Sequence, residues 1–150
     1  MHAELRVNDQ GPWIVELAGR SIGGLCSKTL RFGSDASLEE LIVRQACGLP
    51  IASTDRSSVA GGVMMIPIPG AGLLKRVEGV AAAAAVPCIE EVDITARVNY
   101  PIVPLPEGDS YLGFIFARGE TPEQVEAALR EAHSRLRFQI QPSIELALTK

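Results

Sequence analysis

The chain has 150 residues, 47% of them hydrophobic and 21% charged, with a formal net charge of −4. That length suits one domain or one and a half, with enough apolar residues for a packed core and a composition unlike that of a disordered chain. The acidic balance without a basic run argues against nucleic-acid binding, and the apolar run from Val80 to Val86 is far too short to span a membrane.

The N-terminus lacks the charged-then-apolar pattern of a secretion signal. Cys26, Cys47 and Cys88 are odd in number, widely spaced and without a Cys-x-x-Cys pair. They read as buried thiols of a protein in the reducing cytoplasm, with neither a disulfide frame nor a zinc site. His2 and His133 lie too far apart in sequence to form a metal motif.

The first twenty residues read as two short strands joined at Asn8-Asp9-Gln10-Gly11-Pro12, a cluster of turn formers. A turn centred on Gln10 sets Glu4 opposite Glu16. It places Leu5, Val7, Trp13, Val15 and Leu17 on an apolar face, and His2, Glu4, Arg6, Glu16, Ala18 and Arg20 on a charged one. Directly opposed like charges, roughly 5 Å apart, destabilise a strand pair. A hard cation such as Mg²⁺ held between the two carboxylates would relieve them.

Next comes Gly19-Arg20-Ser21-Ile22-Gly23-Gly24-Leu25, with three glycines in six residues. It is either a plain loop leaving a strand or a loop that approaches a ligand closely. Its spacing fits neither a P-loop nor a dinucleotide fingerprint. Residues 25–32 read as a short helix or irregular segment. Ser37-Leu38-Glu39-Glu40 is a capping box opening a helix over about 38–47, stopped by Gly48. Residues 51–58 read as a polar connection.

Val59 to Pro69 reads as an apolar strand, and Leu73 to Val77 as a short strand or turn. An alanine-rich helix is expected over Val77 to Val86, closed by Pro87. Glu90 to Val98 alternates as a strand, and the proline-rich Tyr100 to Asp109 suits a sheet edge or loop. Tyr111 to Arg118, apolar on both faces, reads as a central strand. Thr121-Pro122-Glu123-Gln124 caps a helix over about 122–136, whose Val125, Ala128, Leu129, Ala132 and Leu136 share one face. Arg137 to Gln141 reads as a last strand and 143–150 as a loosely docked tail. The fold class expected is α+β: a hairpin and helix over 1–57, then a ferredoxin-like βαββαβ subdomain with an antiparallel sheet over 58–142.

These residues resemble a family. Glu4, followed after eleven residues by Glu16-x-Ala18-x-Arg20 and then Ile22-Gly23-Gly24, is similar to the last catalytic segment of ATP-grasp enzymes, the ATP-dependent carboxylate ligases. The family carries a glutamate on one strand and Glu-x-Asn-x-Arg on the next. Val77-Glu-Gly-Val80, Ile89-Glu-Glu-Val92, Gly113 to Gly119 and Thr121 to Leu129 resemble the C-terminal domain of the L-amino acid ligase branch, and more distantly of biotin carboxylase.

The resemblance implies that Glu4 and Glu16 hold Mg²⁺ (or Mn²⁺) at the phosphates of ATP. It implies that Arg20 is catalytic and binds phosphate or substrate, with Gly23 and Gly24 approaching substrate. Ala18 stands where the family has asparagine and cannot ligate metal. The implied reaction joins a carboxylate to an amine, or to a thiol, through an acyl phosphate.

In the family most nucleotide contacts precede this segment. The expectation is therefore a truncated chain or a separately encoded C-terminal piece. It would be inactive alone, would be completed by a nucleotide-binding N-terminal portion and could form a homodimer. The alternative is a small-molecule-binding or dimerising ferredoxin-like regulatory module, which has no need of opposed glutamates followed by an arginine.

Overall fold

The computed structural model describes residues 1–142, so the expected tail at 143–150 lies outside the described residues. The chain divides into two compact units, Met1–Ser57 and Ser58–Lys150.

The first unit opens with β1 (His2–Asn8) and β2 (Gly11–Ala18), an antiparallel pair. Asp9 and Gln10 alone make the turn. The Asn8 side chain accepts from Gln10 N at 2.9 Å, and Gly11 takes a φ of 115°. An Asx-type bond and a glycine with positive φ are what so tight a turn requires. From the turn outward the ladder pairs Asn8 with Gly11, Val7 with Pro12, Arg6 with Trp13 and Leu5 with Ile14. The register then slips between Glu4 and Leu5, leaving Val15 as the extra residue of a bulge. Beyond it Glu4 pairs with Glu16, Ala3 with Leu17 and His2 with Ala18.

The two-residue turn and the bulge together set the faces. Ala3, Leu5, Val7, Pro12, Ile14 and Leu17 form the apolar face, while Trp13 joins Arg6, Glu4 and Glu16 on the polar one. The alternation rule had put Trp13 on the apolar face. One slipped residue moves a side chain to the other side.

A 3-10 turn, Cys26–Thr29, leads into the short pair β3 (Arg31–Phe32) and β4 (Ala36–Ser37) and then α1 (Leu38–Ala46). The cap is as expected: Ser37 Oγ accepts from Glu40 N at 3.1 Å, and Gly48 has a φ of 64° just past the helix. The Glu40 carboxylate pairs with Arg44 one turn on, at 2.8 Å. The apolar stripe of α1 is not buried: Ile42 and Val43 are exposed, and no α1 residue is in a core.

The second unit holds β5 (Ala60–Ile66), β6 (Gly72–Glu78), α2 (Val80–Ala84), β7 (Ile89–Asp93), β8 (Pro101–Ile102), β9 (Gly113–Gly119), α3 (Pro122–Arg135) and β10 (Arg137–Gln141). The succession β6-α2-β7-β9-α3-β10 is the ferredoxin-like one, and the strand pairs are antiparallel as expected. The pairing is spread over two three-stranded sheets, β10-β6-β8 and β5-β9-β7. β9 is central, and Ile115, Phe116 and Ala117 are all buried, which accounts for its apolar character on both faces.

α3 begins at Pro122 with the Thr121 hydroxyl accepting from Gln124 N, and it buries Val125, Ala128, Leu129 and Ala132, as their spacing foretold. It packs against Gly62 of β5, where an added Cβ would come within 2.7 Å of Val125 Cγ1. Ile66, Leu74, Leu112 and Ile115 are the largest fully buried side chains of this core.

Two boundaries differ from the sequence reading. The alanine-rich helix begins at Val80 instead of Val77, because β6 continues to Glu78 and Gly79 turns the chain at a φ of 83°. A Cβ at Gly79 would lie 2.0 Å from Arg135 O, so the approach of α3 excludes any side chain there. β7 stops at Asp93, since the amides of Thr95 and Ala96 both turn to Leu112 O. The cysteines also differ: Cys47 and Cys88 are exposed, Cys26 is half-buried, and all three are free.

Candidate functional site

The polar face of the β1–β2 hairpin gathers the side chains that the sequence singles out. Glu4 and Glu16 are direct cross-strand partners, each about half exposed. The bulge is what makes them so. The two-residue turn alone would pair Glu4 with Val15 and set the carboxylates out of step. The expected opposition holds, reached by a different route through the ladder.

Arg20 clasps the end of β2. Its Nη2 lies 3.4 Å from Glu16 Oε1, and its Nη1 donates to Ser21 O at 3.1 Å. Gly23 lies under the guanidinium: a Cβ there would approach Arg20 Nη1 at 3.6 Å. Gly24 takes a φ of 62°, a conformation open to glycine, and Leu25 follows at 54°. The carbonyls of Gly23 and Gly24 accept from the amide and the thiol of Cys26 at 3.2 and 3.6 Å, so the loop is closed by its own backbone. Glu16, Arg20 and Gly23 are thus together, and Glu4 faces them from the next strand.

The loop is anchored from below. Ser27 is the one buried residue of this unit among those described, and it hydrogen-bonds the Glu39 carboxylate in the first turn of α1. That bond holds the Glu39 carboxyl below the usual carboxylate range, helped by its own backbone amide, by Ser37 and by the nearby Arg31 charge, against a desolvation cost. Arg31 Nη1 in turn donates to Lys28 O and Leu30 O, both at 2.9 Å.

Sequence reasoning passed over two residues here. His2, opposite Ala18, brings Nε2 within 4.0 Å of Glu4 Oε1, and its Nδ1 is buried without a hydrogen-bond partner. Its signal was its place two residues before Glu4 on the same face. Trp13 gave no such signal, because a turn one residue tighter than the sequence suggests is what brings it to this side. Among the described residues, no three His, Cys, Asp or Glu side chains converge into a ready metal cage. The donors on this face suit a hard cation only as a half-site, two carboxylates with the remaining positions left to other oxygens.

The second unit has a cleft of about 620 Å³ lined by Ser58, Val59, Cys88, Ile89, Glu90, Arg118, Gly119 and Glu120. The Arg118–Glu90 ion pair at 3.0 Å closes part of its polar wall. Among the described residues no helix is long and apolar enough to cross a membrane.

A hairpin with an acidic and glycine-rich edge, followed in sequence by a two-sheet α+β unit, is a fold found in two solved enzymes. The fold is shared with an L-amino acid ligase from Bacillus licheniformis, at 24% identity and a TM-score of 0.71. It is also shared with a phosphoribosylglycinamide synthetase from Anaerococcus prevotii, at 18% identity and a TM-score of 0.72. Each alignment covers 93% of this chain and 36% of the other, so the chain spans about a third of the length of these enzymes. No curated protein sequence matches it. The family model of the L-amino acid ligase C-terminal domain 2 matches residues 64–141, more than half of the chain, and the chain belongs to that family.

Proposed function

We propose that the chain is the C-terminal portion of an ATP- and Mg²⁺-dependent ligase that joins a carboxylate to an amine through an acyl phosphate. The observation that carries this reading is the polar hairpin face, with Glu4 and Glu16 directly opposed and Arg20 held between Glu16 and Gly23. Family membership supports it from the other half of the chain.

In this reading Glu4 and Glu16 hold the cation, Mg²⁺ or Mn²⁺. When bound, it neutralises charge on the transferring phosphoryl group. Glu16 also fixes Arg20, whose second guanidinium nitrogen is spent on Ser21 O, so the arginine reaches the ligand in one orientation. A guanidinium so placed binds the anionic oxygens of a phosphate or a substrate carboxylate. Gly23 and Gly24 let the main chain come close. The carboxylate takes the γ-phosphoryl group and ADP leaves; the amine then attacks the acyl carbon and phosphate leaves.

Ala18 removes one donor found in the family, so two ligands come from this face and not three. The remaining contacts to nucleotide come from a nucleotide-binding portion, in the same or a separate chain. The exposed apolar face of the hairpin supports that partner, since Val7 and Ile14 are 78% and 70% exposed and every buried hydrophobic described belongs to the second unit. Three free cysteines suit a cytoplasmic setting.

The test is Glu4→Gln with Glu16→Gln in the ligase completed by its nucleotide-binding portion, read as amino-acid-dependent ADP release. A loss on the order of a hundredfold or more is expected for a removed metal clamp. Unchanged turnover refutes the assignment.

A further inference from the structure

The bulge between Glu4 and Leu5 has a consequence beyond the carboxylate pair. It brings Glu16 onto the face where the two-residue turn has already set the chain's single tryptophan, paired across the ladder with Arg6 and one step of that face from the Glu4–Glu16 pair. Two residues along a strand span roughly 7 Å, the reach between a small ligand's anionic end and a planar group that it carries. Trp13 is held: its Nε1 donates to Asn8 Oδ1 at 3.2 Å, and that same oxygen accepts from Gln10 N in the turn. Yet the residue is 55% exposed. An indole oriented by its N–H and open to solvent is prepaid in rotamer entropy, which is what a stacking platform needs. Had the turn been centred on Gln10, as the sequence suggests, the ring would lie opposite Val7 on the other side.

We infer that Trp13 is a ligand-contacting residue that stacks on a planar group of a molecule whose anionic end is held by Arg20 and by the cation between Glu4 and Glu16. The inference rests on the proposed ligase reading. Its ligand chemistry, a flat π-system joined to a phosphate or carboxylate, has two sources here: the base of the nucleotide, or an aromatic side chain of the carboxylate substrate.

The experiment uses the chain's single tryptophan as its own probe, read as the difference in fluorescence between wild type and Trp13→Phe. Three additions are compared on the chain completed by its nucleotide-binding portion: Mg²⁺ with tripolyphosphate, which lacks any ring; Mg²⁺ with ATP; and L-phenylalanine against L-alanine in saturating Mg²⁺ and tripolyphosphate. Quenching by ATP beyond that of tripolyphosphate assigns the base. Quenching by phenylalanine and not by alanine assigns the substrate side chain. Calorimetry with Trp13→Ala should show the favoured planar ligand bound about tenfold more weakly, tripolyphosphate bound as before, and Trp13→Phe near wild type.

The inference is overturned if Trp13→Ala binds both planar ligands as tightly as wild type. It is also overturned if Trp13→Ala loses tripolyphosphate as well, which would make the indole a prop for the hairpin. Absence of any Mg²⁺-dependent tripolyphosphate binding by wild type completed with its nucleotide-binding portion overturns the ligase reading and the inference with it.

Discussion

Replacing Glu4 by glutamine should stabilise the hairpin without metal and destabilise it, relative to wild type, with metal. Glu4 is the cleaner of the pair to change, because Glu16 is already offset by Arg20 at 3.4 Å. Direct cross-strand partners lie roughly 5 Å apart. Both side chains are about half exposed, so the dielectric of water is the right choice, and the repulsion is about 0.8 kcal/mol before screening. At physiological salt the screening length is about 8 Å, which leaves about 0.4 kcal/mol. The same arithmetic at 1 M salt leaves about 0.15 kcal/mol.

Hydrogen exchange at the β1–β2 amides reads this directly. Exchange in Glu4→Gln should slow about twofold at physiological salt, close to fourfold at low salt, and not measurably at 1 M. Millimolar Mg²⁺ should reverse the order, since only wild type can share the cation between two carboxylates. Faster exchange in the metal-free variant, or a gain indifferent to salt, would refute the electrostatic reasoning. An equal response of both proteins to Mg²⁺ would refute Glu4 as a ligand.

Two further outcomes test the scaffold. Gly62→Ala should cost the second unit about 1–3 kcal/mol by overpacking, read as a lower urea midpoint, because the new methyl meets Val125 Cγ1 at 2.7 Å and Leu129 Cδ1 at 3.1 Å; an unchanged midpoint would show that α3 yields freely. Glu39 has a folded-state pKa below its ordinary value, so its stabilisation is complete above that value and is lost as pH falls through the lowered one. Protection of the 26–29 amides in wild type relative to Glu39→Gln should therefore decline as the pH is lowered below the carboxyl's ordinary value of 4.5; a pH-independent difference would mean that Ser27 does not depend on the ionised carboxylate.

Much of this protein was decided by neighbours in sequence. The Asn8–Gly11 turn, the Ser37 and Thr121 caps, the stop at Gly48 and the buried face of α3 all follow from bonds or spacings within a few residues, and all stand in the structure. The opposition of Glu4 and Glu16 was legible for the same reason, although the turn centre inferred for it was half a residue off. What only the tertiary structure decided depends on distant groups. The two-residue turn set Trp13 on the Glu4 face and the bulge restored the glutamate pair, and alternation could not reveal either because each register leaves one apolar face.

Gly79 cut the alanine helix short because Arg135 O occupies the space where a side chain would stand. The second unit's strands fell into two sheets, with β5 taking an edge of β9. The apolar hairpin face, which by its pattern belongs to a core, is exposed among the described residues because nothing in the first unit covers it. Alternation records that a face is to be buried; it does not record what buries it.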